Sequence, residues 1–232
     1  MDGTSSTGRV GGRLILAASL LAIAGWSGCS TFIGTTAASF LKRVRSDPDP
    51  NVRFVAYQKL AEPNCYDNEQ QKAEAVRTLI EKLDAAEEPV ATRAVICRTL
   101  GELRDPSARE ALIKAVSDPE GVVRIQACRA LGKVARPEDT TILARIMTVD
   151  NLEDCRIAAI EGLAELKSHY PRVMEVLING MEHDDPAIRL ASVQALRKIT
   201  GRDLGIAPGP WREYLKSKAQ TASAAAPPAP RR

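Results

Sequence analysis

The stretch Asp118-Pro-Glu-Gly-Val-Val-Arg-Ile-Gln-Ala-Cys-Arg-Ala-Leu-Gly132 decides the fold, because its pattern returns four more times along the chain. In each copy a leucine follows an arginine by seven residues, and a small residue usually stands three positions after the arginine. The arginines are spaced by 40, 31, 32 and 33 residues. A recurring period of this length indicates a repeat architecture. The five repeat arginines are Arg53, Arg93, Arg124, Arg156 and Arg189.

These copies resemble the HEAT repeat, and most of all its short variety named after the phycobilisome lyase subunits. A second clear copy is Asp185-Pro-Ala-Ile-Arg-Leu-Ala-Ser-Val-Gln-Ala-Leu196. The resemblance covers residues 36–200 and implies two helices per repeat, stacked in one direction. We therefore predict an all-α fold, a right-handed α-solenoid of about five HEAT-like helical hairpins. The predicted first helices are residues 36–46, 69–84, 107–117, 138–148 and 171–182, each with apolar residues three and four apart.

On a helical wheel, each repeat arginine falls inside the apolar arc of its second helix. The residues one and four positions later are uncharged, as at Ile125 and Cys128. A guanidinium in such an arc needs a partner for its charge. We predict a structural ladder in which each repeat arginine bonds an acid or a carbonyl of a neighbouring turn. A row of anion-binding arginines is the functional alternative. The predicted acceptors are Asp49, Asp118, Asp150 and Asp185.

Another side of the second helices carries charges of both signs, and we expect it to line the concave surface of the solenoid. Mixed signs and a net charge of only +3 disfavour nucleic acid, which requires a continuous basic track. They favour a protein or peptide partner, and a solvated face without a partner is the alternative. The residues of this candidate interaction face are Arg98, Glu102, Arg129, Lys133, Glu161, Glu165 and Lys198.

The amino terminus has the pattern of an export signal. Arg9 and Arg13 precede the apolar run 14–24, and small residues lead to Cys29. The segment resembles a bacterial lipoprotein signal, which implies lipid attachment at Cys29, although Trp26 departs from the usual aliphatic residue. Since residues 14–41 carry no charge, an uncleaved membrane anchor is the main alternative and plain secretion a third. We predict an export signal or anchor at 1–28, a linker at 29–35, and a location at the bacterial cell envelope, facing the periplasm or the exterior.

The remaining cysteines are Cys65, Cys97, Cys128 and Cys155. They form no CxxC motif or Cys/His cluster, which argues against a metal site. Cys97 and Cys128 occupy equivalent places on adjacent repeats, too far apart to bridge. We expect buried thiols, while a Cys65–Cys97 disulfide stays open.

Beyond the repeats, Trp211, Tyr214 and Leu215 follow Pro210 at helical spacing. We predict that residues 201–218 cap the solenoid and that 219–232 form a disordered tail. An aromatic ligand platform is the sharper alternative for Trp211.

The sequence shows no catalytic constellation. Its two histidines, His169 and His183, have no paired nucleophile, and no phosphate-binding glycine loop is present. We predict a chain that is not an enzyme, with no cofactor, no metal and no small-molecule substrate. The leading hypothesis is a membrane-tethered envelope scaffold that binds another protein. The alternatives are a lyase or chaperone-like subunit, which the resemblance implies but export disfavours, and a purely structural envelope protein.

Overall fold

The computed structural model describes residues 34–166 and 171–224, to which the structural statements below refer. The predicted export signal, Cys29 and His169 lie outside this range. Within it, no helix is long and apolar enough to span a membrane. The uncharged run 14–41 overlaps the first repeat, because a helix begins at Ala37 and buries Phe40 and Leu41 in the core.

Five helical hairpins follow one another, as the repeat predicts, and the described residues form an α-solenoid without strands. The first helices are α1 (Ala37–Ser46), α3 (Glu69–Ala85), α5 (Arg109–Ala115), α7 (Thr140–Val149) and α9 (Pro171–Gly180). The second helices, which carry the repeat arginines, are α2 (Pro50–Lys59), α4 (Val90–Leu103), α6 (Gly121–Val134), α8 (Glu153–Glu165) and α10 (Pro186–Thr200). A last helix, α11, spans Pro208–Ala224.

Aspartate and proline set the start of α2 and α10. The side chains of Asp49 and Asp185 accept hydrogen bonds from backbone N–H groups two residues later. Pro50 and Pro186 then occupy the first helical position, where a missing N–H costs nothing. At the other end, Gly201 closes α10 in the left-handed conformation with φ of 65°. Local chemistry therefore sets the start of both helices and the end of α10.

Small residues let α4, α6 and α8 approach closely. A Cβ on Gly132 of α6 would lie 2.4 Å from both the Cα and the carbonyl oxygen of Gly162 of α8. A Cβ on Gly101 of α4 would lie 2.7 Å from the Cα of Ala130. Backbone therefore contacts backbone from one repeat to the next. We call Gly101, Ala130, Gly132 and Gly162 the glycine seam.

The C-terminal segment closes the fifth repeat against solvent. Helix α11 packs on α9 and buries Trp211 completely, and the indole Nε1–H donates to the carbonyl oxygen of Gly205 at 3.0 Å. A buried indole offers no surface to a ligand, so the aromatic platform is excluded. The helix continues to Ala224 and so includes the first residues of the segment 219–232, which the sequence predicts to be a disordered tail. Alanine and glutamine have high helix propensity and extend the helix.

We expect Trp211→Phe to lower the free energy of unfolding by about 1 to 2 kcal/mol. The smaller ring leaves a cavity, and the Gly205 carbonyl loses its donor. Chemical denaturation followed by circular dichroism measures the change. Tyr214→Phe, at a partly exposed ring that contacts the Arg202 guanidinium, is the control and should cost less. Equal effects of the two variants would show that Trp211 does not anchor the cap.

Candidate protein-binding surface

The repeat arginines connect successive repeats through carboxylates in the loops before the second helices. Arg124 donates through Nε and Nη2 to Asp150 at 2.9 and 3.0 Å, and through Nη1 to the carbonyl oxygen of Asp118 at 3.0 Å. The side chain of Asp118 accepts from Arg93 of the preceding repeat at 3.1 Å. One loop aspartate therefore serves two arginines, one through its carboxylate and one through its backbone.

The ladder begins at Arg53, whose acceptor differs from the predicted Asp49. Arg53 donates through Nε and Nη2 to Glu88 at 2.9 and 3.0 Å. Asp49 instead caps the N–H of Asn51. The prediction is wrong because each carboxylate acceptor belongs to the repeat that follows its arginine, and Asp49 precedes the first arginine. Glu88 is only 5% exposed and also accepts from the Tyr57 hydroxyl at 3.0 Å, so it is fully engaged.

The ladder weakens at its C-terminal end. Arg156 makes one bond to Asp185, from Nη2 at 2.9 Å, and its buried Nε has no acceptor among the described residues. Arg189 donates to the carbonyls of His183 and Asp184, and no carboxylate among the described residues pairs with it. The first four repeat arginines are thus ion-paired with acidic side chains of the same chain, which argues against a row of anion-binding sites.

Two buried carboxylates are held ionised by arginine. Burial disfavours the charge on Asp150 more than any single contact favours it, but the hydrogen bonds from Arg124 and from the N–H of Leu152, together with the charge of Arg124, outweigh burial, so the pKa of this carboxyl lies below its ordinary range. Asp139 behaves alike, since burial opposes ionisation while Arg109 on α5 donates to it at 2.7 Å and lowers its pKa. Asp139 precedes α7, so this pair joins the first helices of the third and fourth repeats.

These depressed pKa values predict acid sensitivity. A carboxyl whose pKa is lower in the folded state stabilises the fold fully above its unfolded pKa of about 3.9. That stabilisation is lost as the pH falls through the folded value. We expect a melting temperature that stays level down to about pH 4 and falls below it. Thermal melts from pH 7 to pH 2.5 followed by circular dichroism measure this. Asp150→Asn should reduce the acid-dependent drop; an identical drop in this variant would contradict the assignment to Asp150.

The candidate interaction face is a row of ion pairs between adjacent repeats. Glu102 on α4 accepts from Lys133 on α6 at 2.6 Å, and Arg129 on α6 donates to Glu161 on α8 at 2.5 Å. Lys198 on α10 donates to Glu165 at 2.5 Å. Six of the seven predicted residues are therefore brought together in pairs. We call these six residues and Arg98 the charged row; they are Arg98, Glu102, Arg129, Lys133, Glu161, Glu165 and Lys198.

A sequence signal for this pairing exists in the alternation of charge. Residues nine positions after the repeat arginine read Glu102, Lys133, Glu165 and Lys198 in successive repeats. Stacked repeats place equivalent positions side by side, so alternating signs become neighbouring ion pairs. Arg98 is the exception: it is exposed and has no ion pair within the described chain. Its equivalent in the next repeat is Arg129, which has the same sign.

One contact skips a repeat. The guanidinium of Arg104, just beyond α4, lies 3.6 Å from the carboxylate of Glu165 on α8. The second repeat therefore reaches the fourth across the C-terminal ends of the second helices. Burial opposes the charge on Glu165 less than its hydrogen bond from Lys198 favours it, so its pKa is lowered. At this end of the charged row, Arg104 and Lys198 both contact Glu165, and the charge of Lys133 in the separate Glu102–Lys133 pair also lowers the pKa of Glu165.

The cysteines and the described histidine carry no reactive arrangement. Cys65, Cys97, Cys128 and Cys155 are buried and unpaired, so the Cys65–Cys97 disulfide is absent. Burial raises the pKa of the Cys97 and Cys128 thiols to about 12, which keeps them protonated. His183 accepts through Nδ1 from the N–H of Asp185. Within 34–166 and 171–224, no group of three His, Cys, Asp or Glu residues could hold a metal ion.

Comparison with known proteins agrees with this architecture. Residues 76–164 match the family of HEAT repeats. Among solved structures, a chain of the complex of CpcE and CpcF of phycocyanin lyase from Nostoc sp. PCC7120 shares the fold, with a TM-score of 0.57 and 18% identity. The match covers 73% of this chain and 66% of that chain, just under two thirds of its length. No curated protein sequence matches.

Residues 76–164 therefore form HEAT repeats within the α-solenoid. The solenoid is similar to a phycocyanin lyase chain in fold, and its repeats provide the extended surface through which such folds contact other proteins.

Proposed function

We propose that this chain is a scaffold that binds another protein through the charged row. The observation that carries the proposal is the row of inter-repeat ion pairs at 2.5 to 2.6 Å between Glu102 and Lys133, Arg129 and Glu161, and Glu165 and Lys198. These pairs hold charges of both signs at fixed positions across four repeats. A surface that is ordered before binding loses little side-chain entropy when a partner docks.

Arg98, the unpaired cation of the charged row, indicates which charge a partner must present. Arg98 is exposed beside the Glu102–Lys133 pair, whereas Glu161 and Glu165 lie two repeats further along. Arg98 is thus an unpaired cation at the second repeat, whereas the acids of the fourth repeat are already paired with Arg129 and Lys198. A partner of complementary pattern presents a carboxylate to Arg98. Complementary charge of this kind governs the choice and orientation of a partner more than the raw affinity.

A charge-swap variant tests this proposal without breaking the fold. In Arg129→Glu combined with Glu161→Arg, the pair persists with its direction inverted. We expect affinity capture from envelope extracts to enrich a protein with the native chain and to lose it with the swap. Arg77→Glu, at an exposed position of α3 away from the row, is the matched control and should retain the partner. The captured protein is then purified and its binding to all three chains is measured directly.

The melting temperature of each variant accompanies the capture. The swap should leave it unchanged, because exposed pairs contribute about 0 to 1 kcal/mol. A partner captured equally by the native and swapped chains would refute the charged row as the binding surface. If neither the native nor the swapped chain captures any protein, the purely structural role replaces the scaffold.

We also propose that residues 1–28 direct the chain to the cell envelope and that Cys29 carries a lipid. This proposal rests on the sequence pattern: two arginines, the apolar run 14–24 and small residues before the cysteine. Intact-mass measurement of the protein extracted from membranes tests it. A chain that begins at Cys29 with added acyl mass supports lipidation. A chain that retains Met1 supports an uncleaved anchor instead, and a chain found only in the soluble fraction excludes both.

The fold similarity to a chain of the phycocyanin lyase complex favours a second candidate, a lyase-like or chaperone-like subunit. At 18% identity the similarity reaches the fold alone. Absorption spectra of the purified chain, before and after incubation with a linear tetrapyrrole, discriminate between the candidates. A visible band that stays with the protein through gel filtration would favour the lyase-like role over the scaffold.

A further inference from the structure

The loop before α8 differs from its equivalents in the other repeats. It reads Val149-Asp-Asn-Leu152 and lacks the proline that stands before or at the start of the other four second helices. Its two apolar side chains face solvent, with Val149 66% and Leu152 41% exposed. Exposed aliphatic side chains that lie together mark a contact surface, whereas isolated ones need no explanation. The fourth repeat therefore presents apolar surface where its neighbours present proline and acids.

A groove lies beside this loop, between the third and fourth repeats. Its volume is about 780 Å³, which suits a short peptide segment, and its walls include Val149, Leu152 and Ile142. Gly121 forms part of the wall, and a Cβ there would lie 2.1 Å from Cδ1 of Leu152. The glycine thus provides the space in which Leu152 lies.

The charges in the groove leave a single cation for a ligand. Asp118 accepts from Arg93, and Arg124 is held by Asp150 and Asn151, so these groups are already paired. Arg145 on α7 also lines the groove and is exposed. It has no side-chain hydrogen bond or ion pair to any described residue.

We propose that this groove binds an extended segment of a partner protein that carries an aliphatic side chain next to an aspartate or glutamate. The aliphatic side chain packs between Val149 and Leu152, and the carboxylate pairs with Arg145. This inference rests on the proposed scaffold function and adds a second docking point outside the charged row. The chain's own residues 219–232 are unsuitable occupants, because they contain no aspartate or glutamate and Arg231 and Arg232 have the same charge as Arg145.

A random dodecapeptide display library, selected on the full-length chain and counter-selected on Arg145→Glu, tests the proposal. We expect the enriched peptides to share an aliphatic residue beside an acid. For the best peptide, we expect Arg145→Glu and Val149→Asp each to raise the dissociation constant at least tenfold. A version of the peptide with lysine in place of its acid should bind Arg145→Glu better than it binds the native chain. This reversal would not follow from a general loss of stability.

Arg77→Glu and the Arg129→Glu, Glu161→Arg swap are the controls, and both should bind the peptide as the native chain does. Peptides without an acid, or peptides indifferent to Arg145→Glu, would overturn the proposal. Failure to enrich any peptide would also overturn the groove proposal. That result is expected if a second copy of this chain, or its apolar N-terminal segment, occupies the groove. The scaffold proposal is judged separately by the swap, so a partner lost with the swap but retained by Arg145→Glu refutes the groove alone.

Discussion

Gly132→Val will lower the free energy of unfolding by about 3 kcal/mol. The added Cβ would lie 2.4 Å from the Cα and the carbonyl oxygen of Gly162 on the neighbouring helix, and backbone cannot turn aside as a side chain can. Helices α6 and α8 must therefore separate, which also lengthens the bonds of the arginine ladder. Urea denaturation followed by circular dichroism measures the loss.

Gly209→Val is the matched control for this prediction, since a Cβ on Gly209 of α11 meets nothing within 4 Å. We expect this variant to change the free energy of unfolding by less than about 1 kcal/mol. Equal effects at the two glycines would mean that valine acts through helix propensity alone. The glycine seam would then have no special role in stacking the repeats.

Arg124→Ala is expected to cost about 2 to 3 kcal/mol of stability. The guanidinium is 13% exposed and its partner Asp150 is 9% exposed, so the substitution leaves a nearly buried carboxylate without its cation. The carbonyl of Asp118 loses a donor as well. Thermal and urea denaturation measure the loss, and the double variant with Asp150→Asn should recover part of it because no charge is stranded.

Arg129→Ala provides the comparison for Arg124→Ala. Its pair with Glu161 is half exposed, at 42% and 49%, and such a pair contributes about 0 to 1 kcal/mol. If Arg124→Ala were no more destabilising than Arg129→Ala, the arginine ladder would not hold the repeats together, and the five arginines would need another explanation.

The fold followed from the sequence because its signals are local and repeated. Aspartate and proline mark the start of α2 and α10, and the predicted first helix at 69–84 is observed as Glu69–Ala85. The predicted helices at 107–117 and 138–148 begin instead with short 3₁₀ turns, at Pro106–Ala108 and Pro137–Asp139. A periodic apolar pattern indicates a helix but does not distinguish these tighter turns from its first residues.

The contacts between repeats were harder to predict, because they depend on how far one repeat is offset from the next. Glu88 was missed as the acceptor of Arg53 since it is a glutamate where other repeats have aspartate, and since the acceptor lies 35 residues away. The charged row was predicted as a face with charges of both signs, and its pairing across repeats, such as that of Glu102 with Lys133, was not predicted. The offset between successive repeats follows from how their helices stack, and the sequence of a single repeat does not specify it.

The ladder and the seam have a common period, and residues 119–150 contain one complete unit of both. Arg124 finds its acid, Asp150, at the end of that segment. Ala130 contacts Gly101 on α4, the second helix of the preceding repeat, and Gly132 contacts Gly162 on α8, the second helix of the next repeat. A duplicate of these 32 residues inserted after Asp150 would find matching ladder and seam residues on each side. The arginine ladder and the glycine seam are therefore modular, and the number of repeats can change while both sets of contacts are kept.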